Sequence, residues 1–189
     1  MKQIHVMVAL LCLQSSAQAG VVEYDEDFQG WSDAVSGFTT ITFTEVPFGI
    51  LQGDEYASLG VHFVDGNDAV YPDDHFRDGA GVTGAGTGAD NIELIFDFRQ
   101  YWIGADFDGG LCIRLFLQGA LIYDSTTFTA FDDAEFAGLI SSGPFDEAHI
   151  RNPFGGVFVD NLYFGAPAPG AIGLLAAWSA LGARPRRRS

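Results

Sequence analysis

Short runs in which apolar and polar residues alternate recur through the middle of the chain, and they predict β-strands. Such runs cover 39–44, 92–98, 103–107 and 111–117, with further apolar runs at 121–123, 148–151 and 157–164. A period of two residues is typical of a strand that buries one face. In the last run the apolar phase slips between Val159 and Leu162, which predicts a β-bulge between them. In the run 92–98 the alternation predicts one shared buried face for Ile92, Leu94, Phe96 and Phe98.

Turn residues separate these runs, and no amphipathic helix is recognised between them. Asp-Gly, Gly-Gly and Gly-Pro pairs, which are typical of turns, occur at 65–66, 109–110 and 143–144. Short strands at this spacing predict an all-β domain. We expect an antiparallel β-sandwich of the jelly-roll type, with the 17 phenylalanines filling its interior. The Gly-rich segment 79–88 has no Lys and no following helix, so it is predicted to be a flexible loop and not a phosphate-binding one.

Charge is concentrated in residues 20–165. All 25 acidic residues lie there, together with only four of the nine basic residues, all of them arginines. Subtracting four from 25 gives this segment a net charge of −21, against −16 for the whole chain. A surface this acidic repels nucleic acid and anionic lipid, so neither is expected as a partner. It favours divalent cations, or a saline medium that screens the repulsion among the acidic groups.

The N-terminal residues have the three parts of a secretory signal peptide. Lys2 is followed by an apolar stretch at 4–13 and by the small-x-small sequence Ala17-Gln18-Ala19. This order of a positive, an apolar and a cleavable part is typical of export signals. We therefore expect residues 1–19 to be removed and the domain to begin at residue 20, outside the cytoplasm. A buried first helix is the alternative interpretation.

Residues 166–189 form a C-terminal segment that also has three parts. Pro167 and Pro169 break the chain, an apolar run of 13 residues follows at 171–183, and arginines end the sequence. Arginines stay on the cytoplasmic side of a membrane, so the run is oriented with the domain outside. A stable span needs about 20 residues, so the short run predicts a transient anchor in the inner membrane. An ordinary C-terminal helix is the alternative. The arginines in question are Arg184, Arg186, Arg187 and Arg188.

This C-terminal segment resembles the PEP-CTERM sorting signal of exported bacterial proteins, with Ala168 at the place of the usual Glu. The resemblance implies cleavage by an exosortase-type enzyme and release toward the cell surface or an exopolysaccharide matrix. Segments 55–63, 136–145 and 158–164 also resemble parts of secreted proteins that carry this signal. The resemblance implies a location and a fold class more directly than an activity.

No catalytic motif is recognised, so an enzyme is not expected. The chain contains no Gly-x-Ser-x-Gly, His-Glu-x-x-His or phosphate-loop sequence. Cys112 is the one cysteine of residues 20–165 and lies in a strand-like run, where a small core residue is the simplest interpretation. His62 and His149 are likewise predicted to be strand histidines.

One acidic cluster is a candidate calcium site. Carboxylate and amide oxygens on loops are the ligands that Ca²⁺ prefers, although Gly66 stands at the wrong position for an EF-hand. Solvated acidic turns are the alternative, because turns also need Asp and Gly. A second candidate is Asp106 with Asp108. The residues of the first cluster are Asp65, Asn67, Asp68, Asp73 and Asp74.

Two classes of function therefore remain open. The first is a non-catalytic exported protein of the cell surface or matrix, associated with exopolysaccharide. The second is a lectin, a carbohydrate-binding module or a carbohydrate-active enzyme. Exposed aromatic side chains on one sheet face would favour a sugar-binding platform. The candidates for such a platform are Trp31, Tyr71, Tyr101 and Trp102, and core packing is the alternative for Trp102.

Overall fold

Alternating apolar residues form antiparallel strands through most of the domain. The computed structural model describes residues 20–64, 68–72, 80–84, 91–130 and 135–168. The elements in these ranges are β1 (Val21–Asp25), α1 (Phe28–Ala34), β2 (Thr39–Ile41), β3 (Gly49–Ile50), a 3-10 turn (Ala57–Leu59), β4 (Val61–Phe63), β5 (Asp68–Tyr71), β6 (Gly81–Gly84), β7 (Asn91–Asp108), β8 (Gly110–Leu117), β9 (Ala120–Asp124), β10 (Phe128–Thr129), β11 (Glu135–Arg151) and β12 (Val157–Gly165).

Two long strands, β7 and β11, run through both layers of a β-sandwich. In the first layer, residues 91–95 of β7 and 147–151 of β11 pair with each other, and the order is β9–β8–β11–β7–β4. In the second layer, residues 102–107 of β7 and 135–140 of β11 pair, and the order is β1–β11–β7–β12. The far edge of β12 pairs with β2 and β6, and β5 and β3 follow β6. Every pairing is antiparallel, which confirms the predicted all-β class.

The main core lies between the two layers. Both supply every second side chain to it, as expected for two sheets packed face to face. Strands of the first layer contribute Ile92, Leu94, Phe96, Ile113, Leu115, Ala148 and Ile150, and strands of the second contribute Ile103, Ala105, Phe107, Ala137, Leu139, Val157, Val159, Leu162 and Phe164.

The predicted bulge in β12 is confirmed. Val159 pairs with Phe107 but Leu162 pairs with Ala105, so β12 has one more residue than β7 over this interval. The extra residue brings polar side chains into a buried position. There, Asn161 Nδ2 and the Tyr163 hydroxyl both donate to Asp106 Oδ2, at 3.0 and 2.8 Å. These bonds compensate the buried carboxylate for lost hydration.

Helix α1, which the sequence pattern does not predict, covers the outer face of the second layer. Asp27 caps the helix, because its Oδ1 accepts from the Gly30 amide at 2.8 Å. The helix buries the Trp31 indole fully. A second apolar cluster, which we call the aromatic cluster, therefore lies under α1 and consists of Trp31, Trp102, Phe136 and Tyr163. At the aromatic cluster, the second layer is thus buried on both faces.

Three further expectations are corrected. Phe98 does not share the buried face of Ile92, Leu94 and Phe96; it is 75% exposed, because the register of β7 with β11 shifts where both strands pass between the layers. The segment 79–88 is not simply a loop, since its residues 81–84 form β6 between β5 and β12. The strand predicted at 39–44 ends at Ile41.

Strand β12 ends at Gly165, just before Pro167. Both terminal predictions otherwise fall outside the described residues: the signal peptide at 1–19, and Pro169, the apolar run and the arginine cluster at 169–189. Within the described part of the chain, no helix is long and apolar enough to span a bilayer.

Candidate functional site

Of the five residues in the predicted calcium cluster, one lies in the part of the chain that the structure describes. Asp68 begins β5 and is buried. Its partners in the prediction, Asp65, Asn67, Asp73 and Asp74, lie outside the described residues, so the cluster stays a prediction. Asp106, from the second candidate, is buried on β7 against Asn161 and Tyr163. Among the residues that the structure describes, no three His, Cys, Asp or Glu side chains are arranged to hold a metal ion.

The four aromatic candidates do not form one exposed platform. Trp31 and Trp102 are buried in the aromatic cluster, where Trp102 Nε1 donates to the Gly37 carbonyl at 3.0 Å. Tyr101 is half-buried at the edge of that cluster, and Tyr71 is half-exposed on β5. The two indoles therefore stabilise the fold and offer no free ring face to a sugar. Core packing, the alternative for Trp102, is the correct interpretation.

A different surface brings functional side chains together, namely the outer face of the first layer. Directly paired residues of antiparallel strands point to the same side of a sheet. One row of pairs runs from Arg114 through His149 to Glu93, and the next from Phe116 through Glu147 and Ile95 to His62. We call this surface the polar face; its members are Glu93, Ile95, Asp97, Arg114, Phe116, Glu147, His149 and His62.

At one end of the polar face, the His62 ring lies between two carboxylates. His62 Nδ1 is 3.1 Å from Asp54 Oδ1, and Nε2 is 3.2 Å from Asp97 Oδ1. Hydrogen bonds to Asp54 and to Asp97 raise the pKa of the His62 imidazole above its usual value. Local structure explains the contact with Asp54. The 3-10 turn ends at Gly60, whose positive φ of 77° reverses the chain, and the Phe63 amide donates to the Gly53 carbonyl at 3.2 Å.

His149 has a similar environment in the middle of the face. Its Nε2 is 2.6 Å from Glu147 Oε1, its Nδ1 is 3.9 Å from Glu93 Oε1, and its ring packs on Phe116 with 4.4 Å between centroids. The two arginines at the end of the polar face far from His62 are paired with a carboxylate as well. Arg114 Nε donates to Asp124 Oδ2 at 3.1 Å, and Arg151 Nη2 lies 3.5 Å from Asp124 Oδ1. The His149 ring and the guanidinium groups of Arg114 and Arg151 therefore each have a carboxylate partner.

An open groove of about 370 Å³ lies beside His62. Its apolar part consists of Ile95 and Val64, both of which are partly exposed, and of Phe63. Its polar part consists of Gln52, Asp54 and His62. The volume lies in the range of small-molecule sites, which combine apolar surface with a few oriented polar groups. The groove can therefore hold a ligand that is apolar on one side and polar on the other.

His62 and His149 lie in strands, as the sequence pattern predicts, but no sequence motif indicates the site that they help to form. Asp54 and Asp97 are far apart in the sequence and meet only through the pairing of β4 with β7. The sequence signal nearest to the site is the segment 55–63, which contains His62 and resembles a segment of secreted proteins, but the resemblance implies no binding chemistry.

No protein-family model matches the chain, and no curated protein matches its sequence. Among solved structures, one that is similar is a mutant of CBM29-2, a family 29 carbohydrate-binding module whose ligand recognition was being studied. The identity is 12%, the match covers 67% of this chain and 90% of that one, and the TM-score is 0.37. So low a score establishes neither a common fold nor a common ligand, and the ligand must be inferred from this chain's own residues.

Proposed function

We propose that the β-sandwich is a non-catalytic, jelly-roll-type carbohydrate-binding domain of an exported protein that acts at the cell surface or in an extracellular polysaccharide matrix. The observation that carries the proposal is the open groove on the polar face. A sugar ring has apolar C–H faces and hydroxyl groups at its rim. The groove offers the matching arrangement, with Ile95 and Val64 beside the polar groups of Asp54 and His62.

Fixed side chains favour binding of such a ligand. Ordering a mobile side chain at an interface costs about 0.5–1.5 kcal/mol, and the contacts of His62 with Asp54 and Asp97 meet much of that cost in advance. A neighbouring part of the face has the same property, since His149 is held by Glu147 and by the Phe116 ring. A polymer that follows the sheet from the groove toward His149 would therefore meet oriented groups along its length.

Export and the absence of catalysis are proposed from the sequence. The signal peptide at 1–19, the sorting signal with Pro167 and Pro169, and the terminal arginines support transient anchoring followed by release through an exosortase-type enzyme. The lack of a recognised catalytic motif supports a binding role. A bound Ca²⁺ at the cluster around Asp65 and Asp68 remains part of the proposal for the loops of this domain.

Binding to a panel of soluble polysaccharides tests the function. We expect at least one member of the panel to bind and Ile95→Ser to weaken that binding roughly tenfold, because the apolar contact of the groove is worth about 1.4 kcal/mol. Ile50→Ser is the matched control, since Ile50 is also exposed but lies on β3 at the edge of the second layer. Equal affinities of the two variants would show that the groove is not the site. No binding by the parent chain would refute the function.

A further inference from the structure

We propose that the groove beside His62 binds a cationic carbohydrate, namely a polymer of amino sugars whose amino groups are free and protonated. This inference rests on the carbohydrate-binding function proposed above and names its ligand class. The reasons are the acidic charge of the domain, the positions of two carboxylates that contact His62 (Asp54 in the groove and Asp97 on the other side of the imidazole), and the apolar surface of the groove.

The negative charge of the domain favours a positively charged polymer as the ligand. Residues 20–165 contain no Lys and carry 25 acidic residues against four arginines. Two of those arginines, Arg114 and Arg151, contact Asp124 toward the other end of the polar face. Among the described residues that line the groove there is no Arg or Lys, and the nearest Arg along β7 is Arg99, two residues beyond Asp97. A polymer of uronic acids would therefore be repelled, whereas a polycation would be attracted over a distance.

The geometry of the groove suits an ammonium group attached to a sugar ring. Asp54 and Asp97 each contact His62 through Oδ1, and their side chains are 88% and 49% exposed. Each can therefore accept a further hydrogen bond from solvent or ligand through Oδ2. An ammonium is a compact donor of three hydrogen bonds, and bonds between charged groups are the strong ones. Ile95 lies directly across from His62 and offers an apolar contact to the ring that carries the ammonium.

His62 makes the affinity depend on pH. Protonated imidazole cancels part of the charge of Asp54 and Asp97, and neutral imidazole leaves both charges available. Since hydrogen bonds to the two carboxylates raise the pKa of His62, this change occurs at a higher pH than for an unperturbed histidine. Other charged groups of the described chain near this region are Glu55, whose Oε1 accepts from the Gln52 amide at 2.7 Å, and Arg99, two residues beyond Asp97 on β7. On the sheet, Glu147 lies across Ile95, and Glu93 and His149 lie beyond it. A ligand with permanent positive charge should thus bind more weakly as the pH falls and His62 becomes protonated.

Affinities of the full-length chain for three probes test the inference: an oligomer of glucosamine, an N-acetylglucosamine oligomer of the same length, and polylysine of matched charge. We expect the glucosamine oligomer to bind at least roughly tenfold more tightly than the acetylated one. Asp54→Asn and Asp97→Asn should each weaken its binding by a similar factor. Asp33→Asn, on the exposed side of α1, changes the charge equally and should have little effect. A trimethylated glucosamine polymer keeps its positive charge at every pH but has no N–H to donate, so it should bind more weakly than the glucosamine polymer, and its remaining affinity should fall between pH 8 and pH 5.

The outcomes separate this inference from the proposed function. Equal binding of the acetylated and free oligomers, or binding of other neutral glycans alone, overturns the cationic ligand and leaves the carbohydrate function standing. Binding of no glycan overturns both. Polylysine that binds as tightly as the glucosamine oligomer, or equal losses in Asp33→Asn and Asp54→Asn, would show attraction by net charge without a site. Melting temperatures of the exposed-residue variants identify any that fail to fold.

Discussion

Replacing Trp31 by alanine should lower the unfolding free energy by about 3–5 kcal/mol, the usual cost of truncating a large buried aromatic side chain. The indole is fully buried under α1, with its ring centroid 5.2 Å from that of Phe38 and 5.4 Å from that of Phe136. Its Nε1 donates to the Leu139 carbonyl at 3.4 Å. Removing it leaves a cavity that the short helix and the sheet can close only partly.

Thermal unfolding measures this loss. A domain of this size should lose roughly 10 °C in melting temperature, at about 2–4 °C per kcal/mol. Phe154→Ala is the control, because Phe154 is 79% exposed on the turn before β12 and its truncation should cost less than about 0.5 kcal/mol. If the two variants melt within a degree or two of each other, Trp31 is not a core residue.

Gly138→Ala should also destabilise the domain, by about 1–3 kcal/mol, because it overpacks the aromatic cluster. A Cβ at position 138 would stand 2.6 Å from Phe136 Cζ and 2.7 Å from Trp31 Cδ1. Both are rings held by other rings, so neither can move far. Gly104, which pairs with Gly138, meets the Phe136 ring in the same way.

Gly155→Ala is the matched control for this substitution. Position 155 has no atom within 4 Å of an added Cβ, so the same methyl group should leave the unfolding free energy almost unchanged. The measurement is chemical denaturation of both variants beside the parent chain. A loss of the same size in both would mean that the cost comes from glycine itself and not from contact with the aromatic cluster.

The alternation of apolar and polar residues predicted the strands correctly in the parts of the fold where a strand buries one face against the main core. It located β8, the first half of β7 and the bulge of β12, because these features depend on local side-chain order. It failed at Phe98, where β7 leaves one layer for the other, since the position of that crossing is set by pairing with β11. It also missed α1, because seven residues are too few to show a helical period.

The candidate site was harder to predict than the fold. Its groups come from the turn at Asp54, from β4 and from β7, and only the strand register places them side by side. Aromatic residues misled the search for a sugar platform. Trp31 and Trp102 have side chains that are typical of sugar-binding surfaces, but both are packed in the aromatic cluster on the outer side of the second layer. Residue type alone does not distinguish these two uses.

The most direct test of the carbohydrate site is an NMR titration of the isotope-labelled protein with the glycan that binds most tightly in the panel. We expect the largest changes in amide and side-chain chemical shift at the residues that line or adjoin the groove, namely Asp54, His62, Val64, Ile95 and Asp97. Changes of similar size should be absent from α1 and from β5. Shift changes centred on Tyr71 of β5, with the groove unaffected, would contradict the account.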